Sequence, residues 1–180
     1  MILAIDPGNV QSAIVMVSND LSKIHLKMKE ENQKILNLIT EIPFSWLEAT
    51  PVLVAIEMIG HYGAGMPAGK TVFDTCIWIG RFVQVFSENG YDVTYIMRRD
   101  EKMALCGTMK AKDGNIIQSL IDRFAPDTPN KGKGTKKEPG FFYGFKADIW
   151  QAFAVACTYH DMYLVGGESN AEKRTSLDIT

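Results

Sequence analysis

The chain has 180 residues, 46% of them hydrophobic and 22% charged, with a net charge of −2. That is one domain's length, with enough chain to bury a sizeable core. No apolar run is long enough to span a membrane, and three scattered cysteines (Cys76, Cys106, Cys157) without a CxxC pair exclude a disulfide framework and fit reduced cytosolic thiols. The chain opens directly on an apolar stretch with no basic segment before it, so no signal peptide is expected and a cytoplasmic location is.

Ile2 to Ile5 is a short apolar run that ends in Asp6, Pro7, Gly8 and Asn9, and a second apolar run covers Ala13 to Val17. This predicts a strand, a tight turn and a returning strand, because Pro presets φ and Gly tolerates a positive one. Asp6 then ends a buried strand, where a carboxylate is costly unless it is paired or holds a metal. Lys23 to Met28 alternates as a third strand of an antiparallel meander. Glu30 to Ile42 has helical spacing, with acids in its first turn and Pro43 as its stop. Val52 to Ile56 is apolar throughout, as a strand covered on both faces would be, and it ends in Glu57.

Met58 to Gly69 is a Gly-rich loop holding His61 and Tyr62. Gly69-Lys70-Thr71 closes a P-loop pattern, but its first glycine should stand at 64, which is Ala64, and this near-miss argues against a nucleotide site. Thr71 to Glu88 predicts a helix whose large apolar groups cover more than one stripe, as in a buried helix or a subunit interface. Asp92 to Met97 predicts a strand, Arg98 to Cys106 a short helical or irregular piece, and Lys112 to Phe124 a helix. Pro126 to Tyr143, rich in Lys, Gly and Pro, predicts a mobile loop, and Ala147 to Leu164 a final amphipathic helix before a disordered tail over 165–180.

Charge is uneven along the chain. From Arg98 to Lys146 there are eleven Lys/Arg against six acids, a surplus of five, which leaves the rest at −7. Such a segment is either a polyanion-binding face or a solvated loop. Asp6, Glu57 and Asp148, the last in the first turn of the final helix, share one pattern. If the first and fourth strands are parallel neighbours, Asp6 and Glu57 meet at one sheet end, and the last helix is able to bring Asp148 over them. Clustered carboxylates repel, and a divalent ion relieves this; oxygen ligands suit Mg²⁺ or Mn²⁺. Two such ions about 4 Å apart serve phosphodiester hydrolysis.

The stretches Ile2-Leu3-Ala4-Ile5-Asp6-Pro7-Gly8, Val54-Ala55-Ile56-Glu57 and Ala147-Asp148-Ile149-Trp150-Gln151-Ala152-Phe153-Ala154-Val155-Ala156 resemble, in order and rough spacing, the RuvC family of Holliday-junction resolvases, over about residues 1 to 164. The compact form and the Lys-rich insert look more like phage-encoded members. The resemblance implies an RNase H-like α/β domain, a mixed five-stranded sheet with helices on both faces. It implies a homodimer in a bacterial or phage-infected cell that cuts four-way or branched DNA with two Mg²⁺ or Mn²⁺ ions per site and leaves paired nicks with 5′ phosphates. Asp6, Glu57 and Asp148 match its metal ligands. A fourth acid is usual one turn after the third; here that position is Gln151, a neutral ligand at best. By the same resemblance Lys112 joins the catalytic set, and Lys102 and Lys112, which flank Gly107, touch backbone phosphates near the cut, with Lys110 a close competitor and solvated surface lysines the alternative. Lys131, Lys133, Lys136 and Lys137 would add a salt-sensitive grip. Tyr62 is placed to stack on bases or to pack under its loop. Gln151 keeps a non-cleaving junction-binding protein as an alternative. An RNase H-like nuclease acting on RNA is a further one. An actin-like ATPase or kinase fragment also shares the fold, but the chain is short for a two-lobed cleft.

Overall fold

Ile2, Leu3, Ala4 and Ile5 are fully buried because their strand lies at the centre of a sheet covered on both faces. The computed structural model describes residues 1–41, 51–60 and 69–166. Five strands, β1 (Ile2–Asp6), β2 (Gln11–Val17), β3 (Ile24–Glu31), β4 (Leu53–Met58) and β5 (Val93–Met97), form one sheet in the order β3-β2-β1-β4-β5. β1 pairs antiparallel with β2 and parallel with β4, β2 pairs antiparallel with β3, and β4 pairs parallel with β5.

The two-residue period of the strands sorts their side chains into two cores. Leu3, Ile5, Ile14, Val54 and Ile56 pack against Ile35 and Ile39 of α1 (Asn32–Glu41) and Ile79, Phe82 and Phe86 of α2 (Lys70–Glu88). Ile2, Ala4, Ala13, Val15 and Ala55 face the other way, toward α4 (Asp113–Phe124) and α5 (Ile149–Tyr159). α3 (Arg98–Cys106) follows β5 without a linker and lends Leu105 and Cys106 to that second core. Three of the strand residues under α5 are alanines, so a helix that is itself buried along nearly its whole length sits close on the sheet.

Several element boundaries differ from the sequence expectation. Glu30 and Glu31 end β3, so α1 begins at Asn32 and has no acid in its first turn. The strand wins because its pairing with β2 continues through Glu31, opposite Gln11. The final helix changes to π-helical pitch over His160–Val165. The Lys-rich stretch expected to be a mobile loop has defined structure. A 3₁₀ turn spans Pro129–Gly132, Gly134 bridges Pro139, and Phe142 and Phe145 are buried. Phe142 lies 4.6 Å from the Trp150 ring centroid, and Phe141 stacks on Phe124 at 5.0 Å. These aromatic anchors offset the chain entropy that the Lys/Gly composition of the stretch favours. The tail from 167 onward lies outside the described residues, and so do His61 and Tyr62.

Candidate active site

Register brings the first two acids together. β1 and β4 run parallel with Ile5 opposite Ile56, so the next residues, Asp6 and Glu57, are neighbours at the same sheet end. Both follow inward residues of the α1/α2 face, so both project toward α5. The turn after Asp6 is built for this. A Cβ on Gly8 would stand 2.3 Å from the Gln11 carbonyl oxygen, so only glycine fits there. The Gly8 N–H donates to Ser12 Oγ (3.1 Å), Ser12 Oγ donates to Asn32 Oδ1 (2.6 Å), and Asn32 Nδ2 donates to the Gly8 carbonyl (2.8 Å). Ser12 and Asn32 are both buried, so this closed ring leaves the turn little freedom.

Asp148 takes the position just before α5, where its carbonyl accepts from Ala152 N–H. Ala147, immediately before it, is held at φ +40°, a conformation that L residues adopt only under constraint. The Asp148 carboxylate acts electrostatically on Asp6 and is salt-bridged to Lys29. Lys29 belongs here by register: Asp6 faces Ala13 across β2, and Ala13 faces Lys29 across β3.

Asp6 and Glu57 lie within hydrogen-bonding reach of each other. Burial, the Glu57 charge beside it and that hydrogen-bonding contact push Asp6 up to about 9. Burial also raises Glu57, against the opposing pull of Arg98. Glu101 on α3 is fully buried and stands at about 8, raised first by burial and then by Glu57. One of its oxygens, Oε1, is buried with no hydrogen-bond partner.

Arg98, the first residue of α3, sits among these acids. Its Nη1 donates to Glu101 Oε2 (2.5 Å) and to Gln151 Oε1 (2.7 Å), and lies 4.0 Å from Glu57 Oε1; its Nη2 donates to Asp113. Burial works against its charge, but Glu101, Glu57 and Asp113 outweigh that and raise its pKa. An open cleft of about 630 Å³ exposes the group. Asp6, Glu57, Arg98, Lys102, Asp113 and Gln151 line it, with Pro7, Gly60, Thr71 and Thr75 on its walls.

Asp6, Glu57, Lys102 and Gln151 line one cleft, while Asp148 stands outside its lining, acting on Asp6 electrostatically and salt-bridged to Lys29. Lys112 does not reach the cleft: it is exposed at the start of α4, its backbone N–H donating to Asn115 Oδ1 (2.9 Å), and its neighbour Asp113 lines the cleft instead. Lys110 lines a separate shallow groove with Thr108 and Asn115. Lys131, Lys136 and Lys137 are exposed, and Lys133 is half-buried. Arg98, Glu101, Asp113 and Lys29 are the members that sequence reasoning missed. The available signal was the end of β5, a third parallel strand, running straight into a helix that opens Arg98-Arg99-Asp100-Glu101.

Asp6 and Glu57 supply oxygen donors of the kind Mg²⁺ or Mn²⁺ takes, and burial and the neighbouring Glu57 charge raise Asp6, a cost that such an ion would relieve. Among the described residues, no three His, Cys, Asp or Glu side chains are already arranged as a metal-holding group, since Lys29 draws on Asp148 and Arg98 on Glu57.

The sheet order, its mixed pairing and its helices on both faces define an RNase H-like α/β fold of the RuvC type. Among solved structures, the chain is similar to Thermus thermophilus RuvC in complex with a Holliday junction substrate, at TM-score 0.60 and 16% identity over 92% of this chain and 95% of that one. It is also similar to another Thermus thermophilus RuvC structure (TM-score 0.59, 18% identity, 92% and 96% covered). The yeast mitochondrial Holliday junction resolvase is a third such structure (TM-score 0.53, 13% identity, 89% and 77% covered). At these identities the likeness is one of fold. No family model matches the chain, and neither does any curated protein.

Proposed function

We propose that this chain is a divalent-metal-dependent endonuclease that resolves four-way or otherwise branched DNA. One observation supports the reading: Asp6 and Glu57, on neighbouring parallel strands, stand at one sheet end in an open cleft, with the Asp148 carboxylate acting electrostatically on Asp6. The similar structures, RuvC with a Holliday junction substrate among them, support the branched substrate. A set of like charges held together at this cost of burial is hard to account for as a stabilising device.

Asp6 and Glu57 would hold the Mg²⁺ or Mn²⁺, once Asp6 gives up its proton, with Asp148 released from Lys29 as a third ligand. When bound, the ion supplies an activated water and polarises the phosphodiester. The water oxygen bonds to phosphorus as the bond to the 3′ oxygen breaks, leaving a 5′ phosphate and a 3′ hydroxyl. Lys102, at the cleft wall, would meet a DNA phosphate, and Lys110, Lys112, Lys131, Lys133, Lys136 and Lys137 would act as more distant backbone contacts. A four-way junction needs two symmetric cuts, which a two-fold dimer provides.

The test is cleavage of a synthetic four-way junction beside a linear duplex and a fork, with Mg²⁺, Mn²⁺ or EDTA, by the wild type and Asp6→Asn. Paired nicks on the junction are expected, and EDTA or Asp6→Asn should reduce them at least a hundredfold. Tight junction binding without cutting under either metal would instead make this a junction-binding protein.

A further inference from the structure

Hydrolysis of a phosphodiester by two ions needs two cation positions about 4 Å apart, each with its own oxygen ligands. In this cleft the second set of oxygens is already occupied. Arg98 Nη1 holds Glu101 Oε2 at 2.5 Å and Gln151 Oε1 at 2.7 Å, and its Nη2 holds Asp113. Glu57 faces the same guanidinium at 4.0 Å. Gln151, one helical turn after Asp148, offers the cleft a neutral oxygen, and that oxygen accepts from Arg98.

We propose that the site binds a single divalent ion, at Asp6 and Glu57, and that the Arg98 guanidinium stands in the place of a second. The inference rests on the nuclease reading above and deepens it by fixing the cation count of the same site.

Three further observations support it. The first is geometric: Arg98 is clamped by residues of three elements, Glu101 on its own helix α3, Asp113 on α4 and Gln151 on α5, so its position is determined by the fold rather than by a flexible stem. The second is charge. Beside Asp6 and Glu57 the cleft already carries two fixed cations, Arg98 and Lys102. The third is permanence. Glu101 is fully buried and its Oε2 accepts from Arg98 Nη1, so removing the guanidinium would leave that buried oxygen without its partner, and the guanidinium is a resident part of the structure. A guanidinium is always protonated and supplies fixed positive charge with hydrogen-bond donors, but it takes no ligand and activates no water. The two cation positions of this site are therefore unequal: one is exchangeable and one is covalent.

The experiment is Mn²⁺ binding to the full chain, counted by calorimetry and by the loss of the free Mn²⁺ electron paramagnetic resonance signal. The wild type should bind one ion per chain with a non-cooperative isotherm. Asp6→Asn should lose it. The pair Arg98→Gln with Gln151→Asp, checked for native circular dichroism, should bind a second ion. The wild-type count depends on no variant folding. Two ions per wild-type chain, together with metal-dependent junction cutting, would overturn this inference and leave the nuclease reading standing. A folded Arg98→Gln/Gln151→Asp pair that still binds one ion would overturn the part assigned to Arg98. No ion bound and no junction cut would overturn both.

Discussion

Asp6 shows how one residue ties the fold to its chemistry. Its ordinary pKa of 3.8 is raised to about 9 by burial and by Glu57. Between those values the unfolded chain has lost the proton and the folded chain keeps it, so each rise in pH favours unfolding. Metal-free protein is therefore expected to lose stability as pH climbs from about 4 to about 9, and Glu101, raised to about 8, acts in the same direction. Asp6→Asn removes the ionisable proton while keeping the shape, and should stabilise the metal-free protein at pH 8 by about 1–3 kcal/mol, the ordinary range of a buried substitution. Urea unfolding with EDTA at pH 5 and pH 8 checks this; a wild-type midpoint that rises with pH over that interval would contradict it. Mg²⁺ at pH 8 should restore the lost stability, because an ion that binds only the folded form adds its binding free energy.

The elements near the site are positioned by a few short contacts rather than by propensity. The β1–β2 turn places Asp6 through Gly8, Ser12 and Asn32, which reach from two strands to the start of α1. Gly8→Ala would drive a methyl group into the Gln11 carbonyl, 2.3 Å from the new Cβ, and the backbone must move to relieve it. The expected cost is about 1–3 kcal/mol, read as a lower thermal midpoint, with junction cleavage falling further than the folded fraction because Asp6 moves with the turn. The 126–143 segment teaches the converse. Its composition favours a loose loop, yet Phe141, Phe142 and Phe145 join Phe124, Trp150 and Phe153 in one aromatic cluster. Aromatics flanking a polar stretch pin it at its end, and a window average over the lysines hides them.

At the scale of the whole molecule, α2 buries Ile79, Phe82 and Phe86 against the sheet while leaving Phe73 and Ile77 about 60% exposed. These two lie four residues apart on one face, a pattern that suits a second copy of the chain. If the proposed dimer uses this face, Ile77→Glu should leave a monomer in sedimentation, keep the metal count per chain unchanged, and replace the proposed paired nicks by single ones. A dimer that survives Ile77→Glu would move the interface elsewhere. No helix among the described residues is long and apolar enough to cross a membrane.

Much of this was legible in the sequence, for physical reasons. Strand alternation, the fully apolar runs of β1 and β4, the Pro-Gly turn and the helical spacing of α2, α4 and α5 are local properties, and each is written where it acts. Asp6 and Glu57 at strand ends were visible for the same reason. Which strands pair, and in what register, was decided only by the tertiary structure, because the one-position alignment of Ile5 with Ile56 depends on packing both faces of the sheet at once. Arg98, Glu101, Asp113 and Gln151 span 53 positions of chain, and nothing local marks them as partners. They meet because β5 ends at the same edge as β1 and β4, and α3, α4 and α5 close over it. Their charges become a site only when burial removes the water that would otherwise screen them.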